Sequence, residues 1–122
     1  MTEQSATSRS RGPLSGIRVV ALEQAVAGPL CTRHLADLGA DVVKIERPDG
    51  GDFARRYDTA VKGESSYFVW LNRNKRSLTL NVKHPEAQEI LHRLLSEADV
   101  FVQNFGPGAV DRLGLGSAEL RA

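Results

Sequence analysis

Cys31 is the only cysteine among the 122 residues, so no disulfide can form within the chain, and this fits a reducing compartment. No apolar run approaches the ~20 residues that a membrane-spanning helix needs. The first twelve residues, MTEQSATSRSRG, carry Glu3 and no apolar core, so they do not read as a secretory signal. Cytoplasm is therefore the expected location. An excess of one charge is missing too. Sixteen Lys and Arg oppose fifteen Asp and Glu for a formal charge of +1, which excludes a general nucleic-acid binder and requires any anion site to be local. The Gly-x-Gly-x-x-Gly of a dinucleotide fold is absent. The turn after the first strand pattern, EQAVAGPL, has one glycine followed by proline, so NAD is excluded and Glu46 at the next strand end reads as a solvated acid. His34, His84 and His92 lack zinc-like spacing and a second cysteine, and are read as surface or packing residues.

What remains is an ordinary globular composition, 41% hydrophobic and 25% charged, at a length that supports one core. IRVVALE (17–23) and DVVKIE (41–46) read as buried strands. Between them Pro29 suits the first turn of a helix. Leu30, Cys31, Leu35 and Leu38 are expected to form its apolar face, and Gly39 its left-handed C′ residue. Residues 53–72 are ambiguous, although ESSYFVWLN could make a short helix. SLTLNV (77–82) alternates, with Leu78, Leu80 and Val82 on one face. A helix over 85–98 has the strongest signal, with Ala87, Ile90, Leu91, Leu94, Leu95 and Ala98 at helical spacing. VFVQNF (100–105) is a further strand, 109–116 a glycine-punctuated loop or turn, and Ser117 an N-cap candidate. Strands alternating with helices predict an α/β fold, a Rossmann-like parallel sheet with flanking helices. Ligands are then expected along the carboxyl edge of the sheet.

Three features could carry chemistry. Arg73, Lys75 and Arg76 in NRNKRS could bind phosphates, although such runs are more often solvated loop charge. NFGPG, at a strand's carboxyl end, offers an aromatic for stacking and polar contacts from Asn104 and glycine backbone, against the alternative of a turn with Phe105 buried. Cys31 near a helix start could be a nucleophile, but a small residue packed on the sheet is the favoured reading.

Taken in order, AGP, LGADVVKIE, NRNKRS and NFGPGAVDRLG resemble the family III CoA-transferases, a group that includes formyl-CoA and carnitine CoA-transferases and α-methylacyl-CoA racemase. The resemblance covers residues 13–120. The polar residues 1–12 are expected to be a disordered tail; the resemblance makes 13–122 the N-terminal, CoA-binding part of a large α/β domain, and the helix scarcely begun at Ser117 suggests truncation. The resemblance also implies an interlocked homodimer for full-length members. Nothing is bound permanently; coenzyme A and acyl-CoA enter as substrates beside a carboxylic acid, with no nucleic acid and no membrane among the partners. Carried over by position, the CoA contacts fall on Ala27, Arg47, Leu80, Lys83, Asn104, Phe105, Gly106 and Arg112. Arg47, Lys83 and Arg112 suit phosphates, and the Asn-Phe-Gly turn suits the nucleotide end.

The resemblance implies transfer of CoA between an acyl-CoA and a carboxylate through an aspartyl anhydride and an enzyme-bound thioester. None of Asp37, Asp41, Asp49, Asp52, Asp58, Asp99 and Asp111 matches that nucleophile; they read as loop, cap or surface residues. The racemase branch exchanges an α-proton through a His/Asp pair instead. A non-catalytic CoA- or nucleotide-binding module and a racemase-type isomerase therefore stand as alternatives. The formyl-CoA enzymes carry glutamine immediately before AGP, whereas Val26 stands here, which argues against formyl or oxalate specificity.

Overall fold

The computed structural model describes residues 12–122. The expected tail lies outside the described residues apart from Gly12. Four parallel strands, β1 (Arg18–Leu22), β2 (Asp41–Glu46), β3 (Arg76–Thr79) and β4 (Val100–Gln103), form one sheet in the order β3-β2-β1-β4. The chain winds outward from β1 through β2 to β3, then returns to place β4 on the other side of β1. That reversal makes the carboxyl ends of β1 and β4 the topological switch point, as in half of a doubly wound fold.

Period-two alternation sends neighbouring residues to opposite faces. Val19, Ala21 and Val42 pack with Ala36 and Ala40 on one face, while Val20, Leu22 and Ile45 pack with Leu91 and Leu115 on the other. The first face is covered by α1 (Ala27–Asp37). Its contact side is not the leucine stripe the sequence suggested. Gly28, Pro29, Thr32 and Ala36 are buried, whereas Cys31 is exposed and Leu38 is 46% exposed. Small residues four apart let the helix backbone lie close to the sheet, and closeness outweighed leucine content. Leu35 alone of the expected face packs against this cluster. Helix α1 ends as predicted at Gly39 (φ +104°). The Gly39 N–H reaches the Ala36 carbonyl and the Ala40 N–H the Leu35 carbonyl, both at 3.0 Å, a Schellman closure.

The ambiguous region resolves into a 3-10 turn (Phe53–Arg56) and α2 (Ser66–Asn72), the latter capped by the Ser65 hydroxyl. Strand β3 stops at Thr79, short of the expected 82. Asn81 Oδ1 accepts the Lys83 N–H at 3.2 Å, and this Asx turn takes the backbone out of the ladder. Leu78, Leu80 and Val82 nevertheless stay together against the second cluster. Helix α3 (Pro85–Ser96) buries Ala87 and Leu91, but Ile90 is exposed. His84, an uncommon capping residue by type, serves as its N-cap through Nδ1, which accepts the Glu86 N–H at 3.2 Å. Strand β4 ends at Gln103 because Asn104 turns to another task. The expected loop at 109–116 contains α4 (Ala109–Arg112), and Gly116, not Ser117, occupies the N-cap of α5 (Ser117–Leu120).

Candidate functional site

The carboxyl edge is organised around the turn that joins β1 to α1. At the switch point the Asn104 side chain extends the pairing of β1 with β4 by one rung. Its Oδ1 accepts the Gln24 N–H at 2.9 Å and its Nδ2 donates to the Gln24 carbonyl at 2.8 Å. The next residue, Ala25, is left-handed (φ +63°), and its N–H is taken by Asp52 Oδ1 at 2.9 Å. Gly28 makes this closeness possible. A Cβ there would meet Asn104 Cγ and Oδ1 at 2.9 Å and Glu23 Cβ at 3.0 Å.

Beneath the turn lies a buried polar layer on the α1 face of the sheet. Lys44 Nζ donates to Asp52 Oδ2 at 2.8 Å and Glu23 Oε2 at 3.2 Å, and Lys75 Nζ reaches the same Glu23 oxygen at 2.7 Å. Thr32 donates to Glu23 Oε1 at 2.6 Å. Alongside, Arg55 grips Glu46 with two bonds of 2.7 and 2.8 Å, and Ser77 and the Asp52 N–H complete the shell of that carboxylate. Three carboxylates and three cations thus neutralise one another largely out of water, the condition under which buried charge is tolerated. Burial alone would raise the Glu46 carboxyl, but the Arg55 fork, the Asp52 N–H and the Ser77 hydroxyl outweigh it and hold it at about 2. Burial draws the Lys75 ammonium down to about 8 against the pull of Glu23. Glu46 is therefore neither a ribose ligand nor the solvated acid expected from the sequence.

Above this layer a cleft of about 50 Å³ opens between the ends of β1, β2 and β3, with Leu22, Ile45, Leu80, Val82 and Phe105 as its apolar wall and Arg47 at its mouth. Of the eight sequence-predicted contacts, Arg47, Leu80 and Phe105 line it. Arg47 is exposed, braced by a 2.9 Å bond from Nε to the Gly51 carbonyl and stacked 4.2 Å over Phe53. Phe105 is half-buried in the second core cluster, between the two readings the sequence left open. Ala27 begins α1 and is exposed, as are Lys83 before α3, Gly106 after Phe105 and Arg112 on α4. These four lie outside the small cleft. Asn104 sits at the site with both side-chain polar atoms already engaged on Gln24. A larger groove of about 790 Å³ follows the outer flank of β4 between α3 and α5, but none of the eight residues lines it.

Sequence reasoning missed Glu23, Lys44 and Asp52. One signal was available: Lys44 interrupts the buried run DVVKIE, and a lysine inside such a strand requires a buried acid. The conspicuous basic run is likewise paired within the chain. Arg73 holds Asp37 at 2.8 Å with help from Asn74, Arg76 holds Asp41 at 2.7 Å, and Lys75 donates to Glu23, the Pro29 carbonyl and Asn72. Each cation is spent on an acid of this chain, bracing α1 at both ends and β2 at its start.

The model of "CoA-transferase family III" matches residues 14–122. The chain belongs to this family. It is 48% identical over 102 residues to the formyl-CoA:oxalate CoA-transferase of Rhodopseudomonas palustris strain TIE-1, covering 83% of this chain and 24% of that protein. It is 43% identical over 112 residues to the succinyl-CoA:glutarate CoA-transferase of Mus musculus, covering 91% and 26%. Among solved structures, a CAIB/BAIF family protein from Brucella suis superposes with a TM-score of 0.82 at 40% identity, covering 90% of this chain and 30% of that one. Rv3272 from Mycobacterium tuberculosis gives 0.83 at 41%, covering 92% and 30%. The family III chain thus spans about a quarter of the length of these curated relatives. Its parallel sheet and flanking helices match the N-terminal lobe of the family fold. Among the described residues no helix is long and apolar enough to cross a membrane, and no cluster of metal-ligating side chains occurs.

Proposed function

We propose that these residues form the CoA-binding part of an acyl-CoA:carboxylate CoA-transferase. The observation that carries this reading is the meeting of Arg47, Leu80 and Phe105, distant in sequence, around one cleft at the carboxyl edge. At about 50 Å³ the cleft would seat only a part of the ligand, and an apolar wall beside a guanidinium suits the place where an apolar or aromatic portion meets phosphates. Lys83, Gly106 and Arg112 extend the contact beyond the cleft in this reading, and Ala27 and Asn104 offer backbone.

In this reading none of the described aspartates is the nucleophile, Asp49 and Asp111 being exposed residues of a turn and of α4. Asp37, Asp41 and Asp52 are held by Arg73, Arg76 and Lys44, Asp58 accepts Ser66, and Asp99 accepts the Arg18 N–H. The 122-residue chain is thus expected to bind CoA without transferring it. Calorimetry with CoA should show binding that Arg47→Ala weakens about tenfold or more, the scale of a lost charge-assisted bond. No binding by a folded sample would sink the proposal, and turnover of an acyl-CoA with a carboxylate would refute the absent nucleophile. The reading extends to a homodimer working in the cytoplasm, for which sedimentation and fractionation are the checks.

A further inference from the structure

In open α/β sheets the crevice at the topological switch point is the usual ligand seat. Here that crevice, between the carboxyl ends of β1 and β4, is occupied by the Asn104 amide, paired on both sides with the Gln24 backbone. The small cleft lined by Arg47, Leu80 and Phe105 lies instead at the ends of β1, β2 and β3. Gln24 is also a wall residue of that opening, and so is Asp52. Between them Ala25 holds a left-handed backbone, which an L-residue adopts at a cost unless its neighbours impose it. Asn104 imposes it from one side and Asp52 from the other, Asp52 being fixed by Lys44, the Ala54 N–H and its own N–H on Glu46.

We infer that Asn104 is a positioning residue. It seals the switch-point crevice and, with Asp52, clamps the Gln24–Ala25 turn into the shape that forms the wall of the CoA cleft, touching CoA with no side-chain atom. The inference rests on the CoA reading above. It differs from direct recognition by Asn104 in one respect: the side chain is replaceable by anything that keeps Ala25 left-handed. Glycine at that position does so without steric penalty.

The experiment is a double-mutant cycle on CoA affinity with Asn104→Ala and Ala25→Gly. Asn104→Ala alone should weaken CoA binding about tenfold, because the released Ala25 leaves a conformation that disfavours L-residues by roughly 5- to 30-fold. Ala25→Gly should restore several-fold of that loss when combined with it. Equal losses with and without the Ala25→Gly substitution would overturn the inference, since a direct contact cannot be rescued at residue 25. If Asn104→Ala does not fold, Asn104→Asp, which keeps the acceptor but loses the donor to Gln24, takes its place in the cycle. Hydrogen exchange provides a readout that needs no ligand. The Gln24 amide should be protected in the unsubstituted chain and exposed in the Asn104 variant, and equal exchange in both would refute the clamp. Absence of CoA binding by the unsubstituted chain would defeat the CoA reading, and with it the clamp's role in CoA binding, while the exchange result still decides the clamp itself.

Discussion

Lys75 Nζ lies 2.7 Å from Glu23 Oε2 across 52 residues of sequence, both side chains out of reach of water. Lys44 approaches the same oxygen at 3.2 Å, so one carboxylate serves two ammonium groups. The pair ties the third strand's approach to the turn after the first, and it sits directly under the residues proposed to bind CoA.

Glu23→Gln leaves Lys44 and Lys75 facing each other with one carboxylate fewer. Breaking a buried pair in this way costs about 3–5 kcal/mol. The urea midpoint should fall accordingly with little change in m-value. A variant as stable as the parent would mean that the layer is hydrated in solution.

The acid limb of stability should carry the mark of Glu46. Its folded carboxyl is held at about 2 against an ordinary 4.5. A depressed acid contributes stability that is complete above the unfolded value and lost as pH falls through the folded one. The loss belongs to the window from about 4.5 down to about 2, on the order of 3 kcal/mol in all. Glu46→Gln should flatten that limb in urea titrations run at successive pH values.

Lys75 acts with the same slope on the alkaline side, although there it is the charged form that burial disfavours. Its folded value of about 8 lies below the ordinary 10.5, so the unfolded chain binds more protons between the two and stability should rise with pH across that window. Lys75→Met should remove the slope, and an unchanged slope would assign it to another group.

Arg73→Ala and Arg76→Ala should separate the landmark motif from the ligand site. Both arginines are more than half exposed and already paired with Asp37 and Asp41. CoA affinity should stay within about twofold, and any loss of stability should be small and screened by salt. A loss like that of Arg47→Ala would return the basic run to the binding surface.

Gly28→Ala tests the closeness of α1 to the switch point. The added methyl would meet both Asn104 and Glu23 at or below 3.0 Å, and overpacking of this kind costs about 1–3 kcal/mol. Thermal or urea denaturation would reveal it, and an unchanged midpoint would show that the turn can yield.

Much of the architecture was legible in local pattern. Alternating β-branched strands, the strong helix after Pro85 and the Gly39 stop are short-range signals, and the backbone obeyed them. Strand ends were overstated at Val82 and Phe105 because Asn81 and Asn104 divert the backbone by side-chain bonds that no period shows. The buried face of α1 was misread for a related reason. Hydrophobic content marks what prefers to leave water, but how closely a helix can approach a sheet is decided by residue size, as at Gly28, Thr32 and Ala36.

The site divides along the same line. Sequence by itself determined the family, the parallel order of elements and the carboxyl edge as the place to look, because these follow from hydrophobic period, turn chemistry and motif order. Only the tertiary structure decided that Arg73, Lys75 and Arg76 are internal braces, that Glu23, Lys44 and Asp52 join Lys75 in a charge-balanced buried layer, and that Asn104 faces Gln24. Coulomb and hydrogen-bond partners are chosen by distance in space, and a one-dimensional chain does not record which acid each base will meet.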